Sequence, residues 1–168
     1  MIDYKKIKMI ISDIDGVWTD GSIYRGTDNM EFKKFSVFDG VGVAYARAAE
    51  LKIAIISARY SPATEFRAKE LKIDDCYNGG LNKLHAYNDL KKKYSLSDDQ
   101  IAYLGDDMVD LPVMELVALP IAVANATPDI INVAKHTTEV KGGEGAFREA
   151  VEWIIKKQNR TEEVKEAM

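Results

Sequence analysis

A chain of 168 residues, 46% hydrophobic and 30% charged, has the length and composition of one globular domain with its own core. Its net charge of -4 and its scattered basic residues exclude the electrostatic footprint of a nucleic-acid binder. Cys76 is the only cysteine, so no intramolecular disulfide forms, and no apolar run reaches the ~20 residues that span a bilayer. The expectation is a soluble cytoplasmic protein with neither nucleic acid nor membrane as partner.

Along the chain, apolar runs of strand length alternate with amphipathic segments of helix length. Residues 7–11 read as a first strand that ends at Ser12-Asp13. Residues 17–36 carry β-formers on either side of Arg25-Gly26-Thr27-Asp28-Asn29, which predicts a hairpin with a polar turn. Trp18 and Phe35 on it are expected to pack at an interface. An alanine-rich helix follows over 40–51, then a strand over 53–56. Ser61 as N-cap and Pro62 at the first helical position open a helix that runs to about Leu71. A short strand around Cys76 and Tyr77 precedes a lysine-rich helix over 81–94, and a strand over 101–104 comes next. The helix expected over 108–117 must hold Pro112 in its first turn or kink there. A strand over 119–123, a helix opened by Thr127-Pro128 and a last helix over 144–156 complete the pattern.

Short, almost continuously apolar strands suit a sheet buried on both faces, and their alternation with helices implies right-handed crossovers. The fold class is therefore α/β: a Rossmann-like, doubly wound parallel sheet with helices on both faces. The β-hairpin projects from the carboxyl edge of the sheet, where open α/β sheets bind ligands. Residues 1–157 read as a single domain and 158–168 as a polar, mobile tail.

Chemistry concentrates at strand ends. Asp13-Ile14-Asp15-Gly16-Val17 follows an apolar strand, and two carboxylates two residues apart in a tight turn can both face one ligand. One can attack while the other protonates a leaving group and later activates water. Alone, such a pair is more often a loop that caps a helix or binds calcium. Gly105-Asp106-Asp107-Met108-Val109-Asp110 also follows an apolar strand, and carboxylates at two parallel strand ends can converge on one magnesium ion. Asp107 and Asp110 can equally cap the helix that follows. Ser57, in Ile55-Ile56-Ser57-Ala58-Arg59, offers a hydroxyl and nearby backbone N–H groups to phosphate oxygens, or is a turn residue. Lys83 sits at a helix start after Gly79-Gly80, where the helix dipole disfavours a cation, which points to a tertiary partner. His85 and His136 have no metal-ligand partner at a recognisable spacing and read as structural or exposed. Cys76 reads as a small buried residue near a strand.

In this order the elements resemble the motifs of the haloacid dehalogenase superfamily: Asp-x-Asp, Ser/Thr, Lys and a late acidic group. The resemblance implies Asp13 as nucleophile, Asp15 as general acid and then base, and Lys83 bridging the nucleophile and the phosphoryl oxygens. It implies Mg2+ held by Asp13, Asp106 and the Asp15 backbone carbonyl, with Asp107 or Asp110 anchoring that set. Ser57 would hold the phosphate, with Ala58 and Arg59 beside it. The intervals from Asp15 to Ser57 and from Ser57 to Lys83 leave no room for a cap domain.

The runs Asp13-Ile-Asp-Gly-Val-Trp-Thr-Asp-Gly, Phe38-Asp39-Gly40-Val-Gly and Gly142-Gly143-x-Gly145-Ala-x-Arg148-Glu resemble the 3-deoxy-D-manno-octulosonate 8-phosphate phosphatase family. That likeness implies a homotetramer whose hairpins pack together and whose active sites are shared between subunits, with the tail able to reach a neighbour's site. Asp39 and Arg148 are motif positions there, either at the substrate or in a structural pair. The family's usual Thr-Gly-Arg is Ser57-Ala58-Arg59 here; the hydroxyl is kept, and Arg59 suits an acidic sugar. The implied reaction is hydrolysis of the octulosonate phosphate for lipopolysaccharide synthesis. Another keto-sugar acid phosphate, such as 2-keto-3-deoxy-nononate 9-phosphate, and a non-catalytic oligomerisation module are the alternatives.

Overall fold

The computed structural model describes residues 2–168. Its core is a parallel sheet of β1 (Met9–Ser12), β4 (Lys52–Ser57), β5 (Asp75–Asn78), β6 (Ile101–Gly105), β7 (Leu119–Ala122) and β8 (His136–Thr137). Two short antiparallel strands, β2 (Tyr24–Arg25) and β3 (Glu31–Phe32), form the hairpin. The helices are α1 (Val37–Ala48), α2 (Pro62–Glu70), α3 (Lys83–Tyr94), α4 (Leu111–Met114), α5 (Pro128–Val133), α6 (Ala146–Lys157) and α7 (Thr161–Glu166).

Every residue of β1, β6 and β7 is buried, as expected of strands covered on both faces. The sheet order is β5-β4-β1-β6-β7-β8. The chain thus builds outward from β1 through β4 to β5, then returns to lay β6 on the other side of β1. That reversal puts the carboxyl ends of β1 and β6 side by side, the place where such sheets bind ligands. The two ends are tied directly: Asp13 N donates to the Leu104 carbonyl at 3.0 Å.

α6 buries Phe147, Ala150, Val151, Ile154 and Ile155, the stripe of an amphipathic helix, and packs against α1. Gly42 permits the close crossing, since a Cβ there would lie 2.7 Å from Arg148 Cα. Among the described residues, no helix is long and apolar enough to cross a membrane.

Several expectations need correction. α1 begins at Val37, because Ser36 caps it by accepting from Phe38 N at 3.2 Å, and it stops before Glu50, whose φ of 56° is left-handed. Ser61 precedes α2 as expected but does not cap it; its hydroxyl donates to Glu31 Oε1 at 2.8 Å instead. α4 is a single turn with Pro112 inside it, because the backbone before it folds around Asp110. The hairpin is shorter than 17–36. Val17, Trp18 and Thr19 all direct their N–H groups to the Ile14 carbonyl, which winds this segment back into the core. Trp18 is therefore not interface packing: it is buried against Phe147, with ring centroids 4.4 Å apart, and its Nε1 donates to Ser12 Oγ at 2.9 Å. Phe35 is half-buried, 5.8 Å from the Arg67 guanidinium. Residues 158–168 are not a loose tail. Gln158 Nε2 donates to the Tyr4 and Ile7 carbonyls at 3.0 Å, Arg160 donates to the Ala49 carbonyl at 2.8 Å, and Val164 on α7 is fully buried.

Candidate active site

Asp13 is the first residue beyond β1, and Lys83 is the first residue of α3, capped by Asn82. Both are buried, and Lys83 Nζ lies 2.9 Å from Asp13 Oδ1 and 2.6 Å from Asp110 Oδ1. Burial pulls the lysine's pKa down, but the two carboxylates outweigh it and hold the ammonium above its ordinary value, so it stays charged. This explains the cation at a helix start that the dipole alone disfavours. Burial and the Asp110 charge push the Asp13 carboxyl up to about 6, against the pull of Lys83.

Asp110 is saturated. Its Oδ1 also accepts from Tyr103 OH at 2.6 Å, and its Oδ2 accepts from the backbone of Asp106 at 3.0 Å and Asp107 at 3.2 Å. It therefore orients Lys83 and shapes the turn after β6. Asp107 is exposed and takes the Met108 N–H on its own carboxylate.

Asp106 completes the cluster: one carboxylate oxygen each from Asp13, Asp106 and Asp110 lie within 4.8 Å of one another. Burial and the charges of Asp13 and Asp110 raise Asp106 to about 8. Its Oδ1 is buried without a hydrogen-bond partner. A hard divalent cation with oxygen preference fits this set, because it would supply the missing partner and offset the crowded negative charge. Gly16 leaves the space open, since a Cβ there would fall 1.9 Å from Asp106 Oδ2.

The turn carrying the two aspartates is braced from below. Thr19 Oγ1 accepts from Gly16 N at 3.2 Å, and Asn125 Nδ2 donates to the Gly16 carbonyl at 3.1 Å. Asn125 Oδ1 in turn accepts from Gly142 N at 2.6 Å, and Gly143 N donates to the Val17 carbonyl at 3.0 Å. The late glycines thus pack backbone against backbone under the turn. Asn125 escaped sequence reading, as a lone polar residue beyond a strand carries no spacing signal.

The hairpin walls the other side. Asp15 Oδ1 lies 2.6 Å from Lys33 Nζ, while Asp15 Oδ2 is buried without a partner. Lys33 is itself buried and also donates to Thr64 Oγ1 at 3.1 Å. Two residues back, Glu31 takes both terminal nitrogens of Arg59, one of them at 2.9 Å, and Arg59 holds the Glu31 carboxyl down at about 2. Arg59 is thus engaged with the hairpin. Ser57 is buried at the end of β4, and its hydroxyl donates to the Arg59 carbonyl at 3.0 Å. Gly79 N and Gly80 N fasten this loop by donating to the Ser57 and Ala58 carbonyls at 2.9 and 3.0 Å. Lys33 and Glu31 were missed by sequence reading: two charged residues at the end of a hairpin carry no signal of what they meet.

Asp39 and Arg148 are not brought to the carboxylates. Asp39 is fully buried beneath the start of α6, where its Oδ1 accepts from Arg148 N at 3.2 Å, and burial raises it to about 6. The Arg148 side chain turns to Glu152 at 2.8 Å and lies over the Tyr45 ring. His85 is exposed beside Asp89, and His136 stacks on Trp153 at 4.0 Å. Cys76 is half-buried on β5, its thiol pushed up to about 11 by burial.

A model of haloacid dehalogenase-like hydrolases matches residues 28–148. The chain is 40% identical over 165 residues to a 3-deoxy-D-manno-octulosonate 8-phosphate phosphatase of Escherichia coli, covering 98% of this chain and 88% of that protein. A haloacid dehalogenase superfamily hydrolase of Legionella pneumophila superimposes with a TM-score of 0.94 at 40% identity, over 98% of this chain and 90% of that one. The octulosonate phosphatase of Moraxella catarrhalis, solved with magnesium, phosphate and the sugar, superimposes with a TM-score of 0.91 at 36% identity, over 95% and 91% of the two chains.

Proposed function

The chain belongs to the haloacid dehalogenase-like hydrolases and is a magnesium phosphatase, and from this premise we propose that it hydrolyses 3-deoxy-D-manno-octulosonate 8-phosphate to the free sugar acid and phosphate. The observation that carries the reading is the buried chain of Asp13, Lys83 and Asp110 beside the unpartnered oxygen of Asp106. Asp13 attacks phosphorus and becomes an aspartyl-phosphate. Asp15 gives its proton to the departing sugar oxygen and then takes one from the water that hydrolyses the intermediate. Lys83 faces the nucleophile and offsets charge on the transferring group, while Ser57 and the N–H groups of its loop receive phosphate oxygens.

Mg2+ would be held by the Asp13 and Asp106 carboxylates and the Asp15 carbonyl. When bound, it neutralises charge on the phosphoryl oxygens. Asp110 holds Lys83 and the turn of Asp106 in place.

The exposed apolar residues Ile23, Tyr24, Met30 and Phe32 on and beside the hairpin support assembly through this element, as a homotetramer with sites shared between subunits. Lipopolysaccharide synthesis in the cytoplasm is the process this activity would serve. The test compares magnesium-dependent phosphate release from the octulosonate 8-phosphate and from 2-keto-3-deoxy-nononate 9-phosphate. A higher kcat/KM on the former supports the assignment; a higher value on the latter moves it to the nine-carbon sugar.

A further inference from the structure

Asp15 does not meet the site with two equivalent oxygens. Its Oδ1 is held by Lys33 Nζ at 2.6 Å, and its Oδ2 is buried with no partner among the described residues. Lys33 is anchored in turn. Its side chain is 1% exposed, and its ammonium also donates to Thr64 Oγ1 at 3.1 Å in the first turn of α2. The backbone that delivers Lys33 is pinned two residues earlier, where Glu31 binds Arg59 and Ser61 beyond β4. Lys33 leaves the hairpin directly after β3, one residue beyond Phe32. The hairpin's return segment thus grips the phosphate-side loop with Glu31 and the Asp15 carboxylate with Lys33.

Building and burying a lysine ammonium beside a catalytic turn is costly unless it is paired, and this one is paired to the carboxylate of Asp15 rather than to a structural acid. We infer that Lys33 is a positioning residue for the reaction: by occupying Oδ1 it fixes the Asp15 side chain so that Oδ2 faces the leaving group and, later, the water. The inference rests on the phosphatase reading above and adds to it the group that orients its acid and base.

A carboxylate oxygen of Asp13 forms a bond to phosphorus, the ester P–O bond breaks with its electron pair on the leaving oxygen, and that oxygen takes the proton from Asp15 Oδ2. Water then attacks phosphorus, the Asp13–phosphorus bond breaks with its electron pair returning to the Asp13 carboxylate, and Asp15 Oδ2 takes the proton that the water loses. Lys33 makes and breaks no covalent bond.

Lys33→Met, which keeps the apolar stem and removes the ammonium, tests this with two substrates and magnesium. An alkyl phosphate such as β-glycerophosphate needs a proton on its leaving oxygen, whereas p-nitrophenolate leaves without one. Misplaced acid slows the first step for the alkyl ester only; misplaced base slows the second step for both. The expected result is a kcat on β-glycerophosphate reduced at least about 10-fold with KM little changed. With p-nitrophenyl phosphate, the variant should give a burst of one nitrophenolate per site followed by slow turnover, a burst absent with the alkyl ester. Lys33→Arg should restore part of the alkyl turnover. Thr64→Val, which removes only the hydroxyl holding the ammonium, gives a weaker form of the same pattern if Lys33→Met folds poorly. Equal losses on both substrates without a burst, a rise in KM alone, or no change would each overturn the inference. Failure of the underlying reading looks different, since Asp13→Asn would then retain turnover.

Discussion

Gly142 approaches Gly16 so closely that a Cβ on Gly142 would fall 1.8 Å from the Gly16 carbonyl oxygen. That oxygen already accepts from Asn125, so the turn bearing Asp13 and Asp15 rests on a backbone layer with no room for a side chain. Gly142→Ala must push the turn upward. The expected outcome is a kcat reduced about 100-fold, as for a catalytic group displaced by ~1 Å, with a loss of about 1–3 kcal/mol in denaturant unfolding. Wild-type activity in this variant would show that the turn does not depend on the support beneath it.

Lys83 is the sole cation contacting Asp13 among the described residues. Lys83→Met leaves Asp13 and Asp110 buried without their shared partner. Phosphatase kcat should fall about 100- to 1,000-fold. Stability at pH 8 should fall by about 3–5 kcal/mol, with part of the loss recovered at pH 5, where the Asp13 carboxyl protonates more readily. Equal stability losses at both pH values would contradict this electrostatic account.

Asp39 carries a pH signature of its own. Burial holds its carboxyl at about 6 in the folded chain, above the ~3.9 of an exposed aspartate. The folded state thus binds the proton more readily than the unfolded state, so this group adds stability as pH falls from above 6 toward 4 and loses it as pH rises through 6. Asp39→Asn keeps an acceptor for Arg148 N without the charge. In denaturant unfolding it should be more stable than the wild type at pH 8, by up to about 3 kcal/mol, a difference that vanishes near pH 4. A variant less stable at every pH would show that the charge itself holds the start of α6.

Protons and magnesium compete for the same oxygens. Burial first, and then the neighbouring carboxylates, raise both the Asp106 and the Asp13 carboxyls above the ordinary aspartate range. A cation must displace a proton that an exposed aspartate pair would already have lost. The magnesium activation constant should therefore rise about tenfold from pH 7.5 to pH 6.5. A constant independent of pH over that interval would remove Asp106 from the metal set.

The sheet and the two acidic strand ends were legible because both signals are local. Almost continuously apolar runs that end just before Ser12-Asp13 and Gly105-Asp106 mark buried strands, and the residues that follow each run emerge at the carboxyl edge. Lys83 was legible as an oddity of helix chemistry, explained once Asp13 and Asp110 were seen around it. Lys33 was not legible, because Glu31-Phe32-Lys33 reads like any exposed hairpin strand until tertiary contacts bury the lysine. Trp18 was misplaced for a related reason: its β-forming neighbours suggested a strand, whereas hydrogen bonds to Ile14 coil the segment inward. The residues of β8 and α7 are too short and polar to stand out, and their pairing with β7 and the burial of Val164 come from packing alone.

The most direct test of the account is phosphate release from 3-deoxy-D-manno-octulosonate 8-phosphate with magnesium, measured for the wild type and Asp13→Asn side by side. The account predicts rapid release by the wild type and none above background for the variant. Comparable release by both would show that Asp13 is not the attacking group and would contradict the account at its centre.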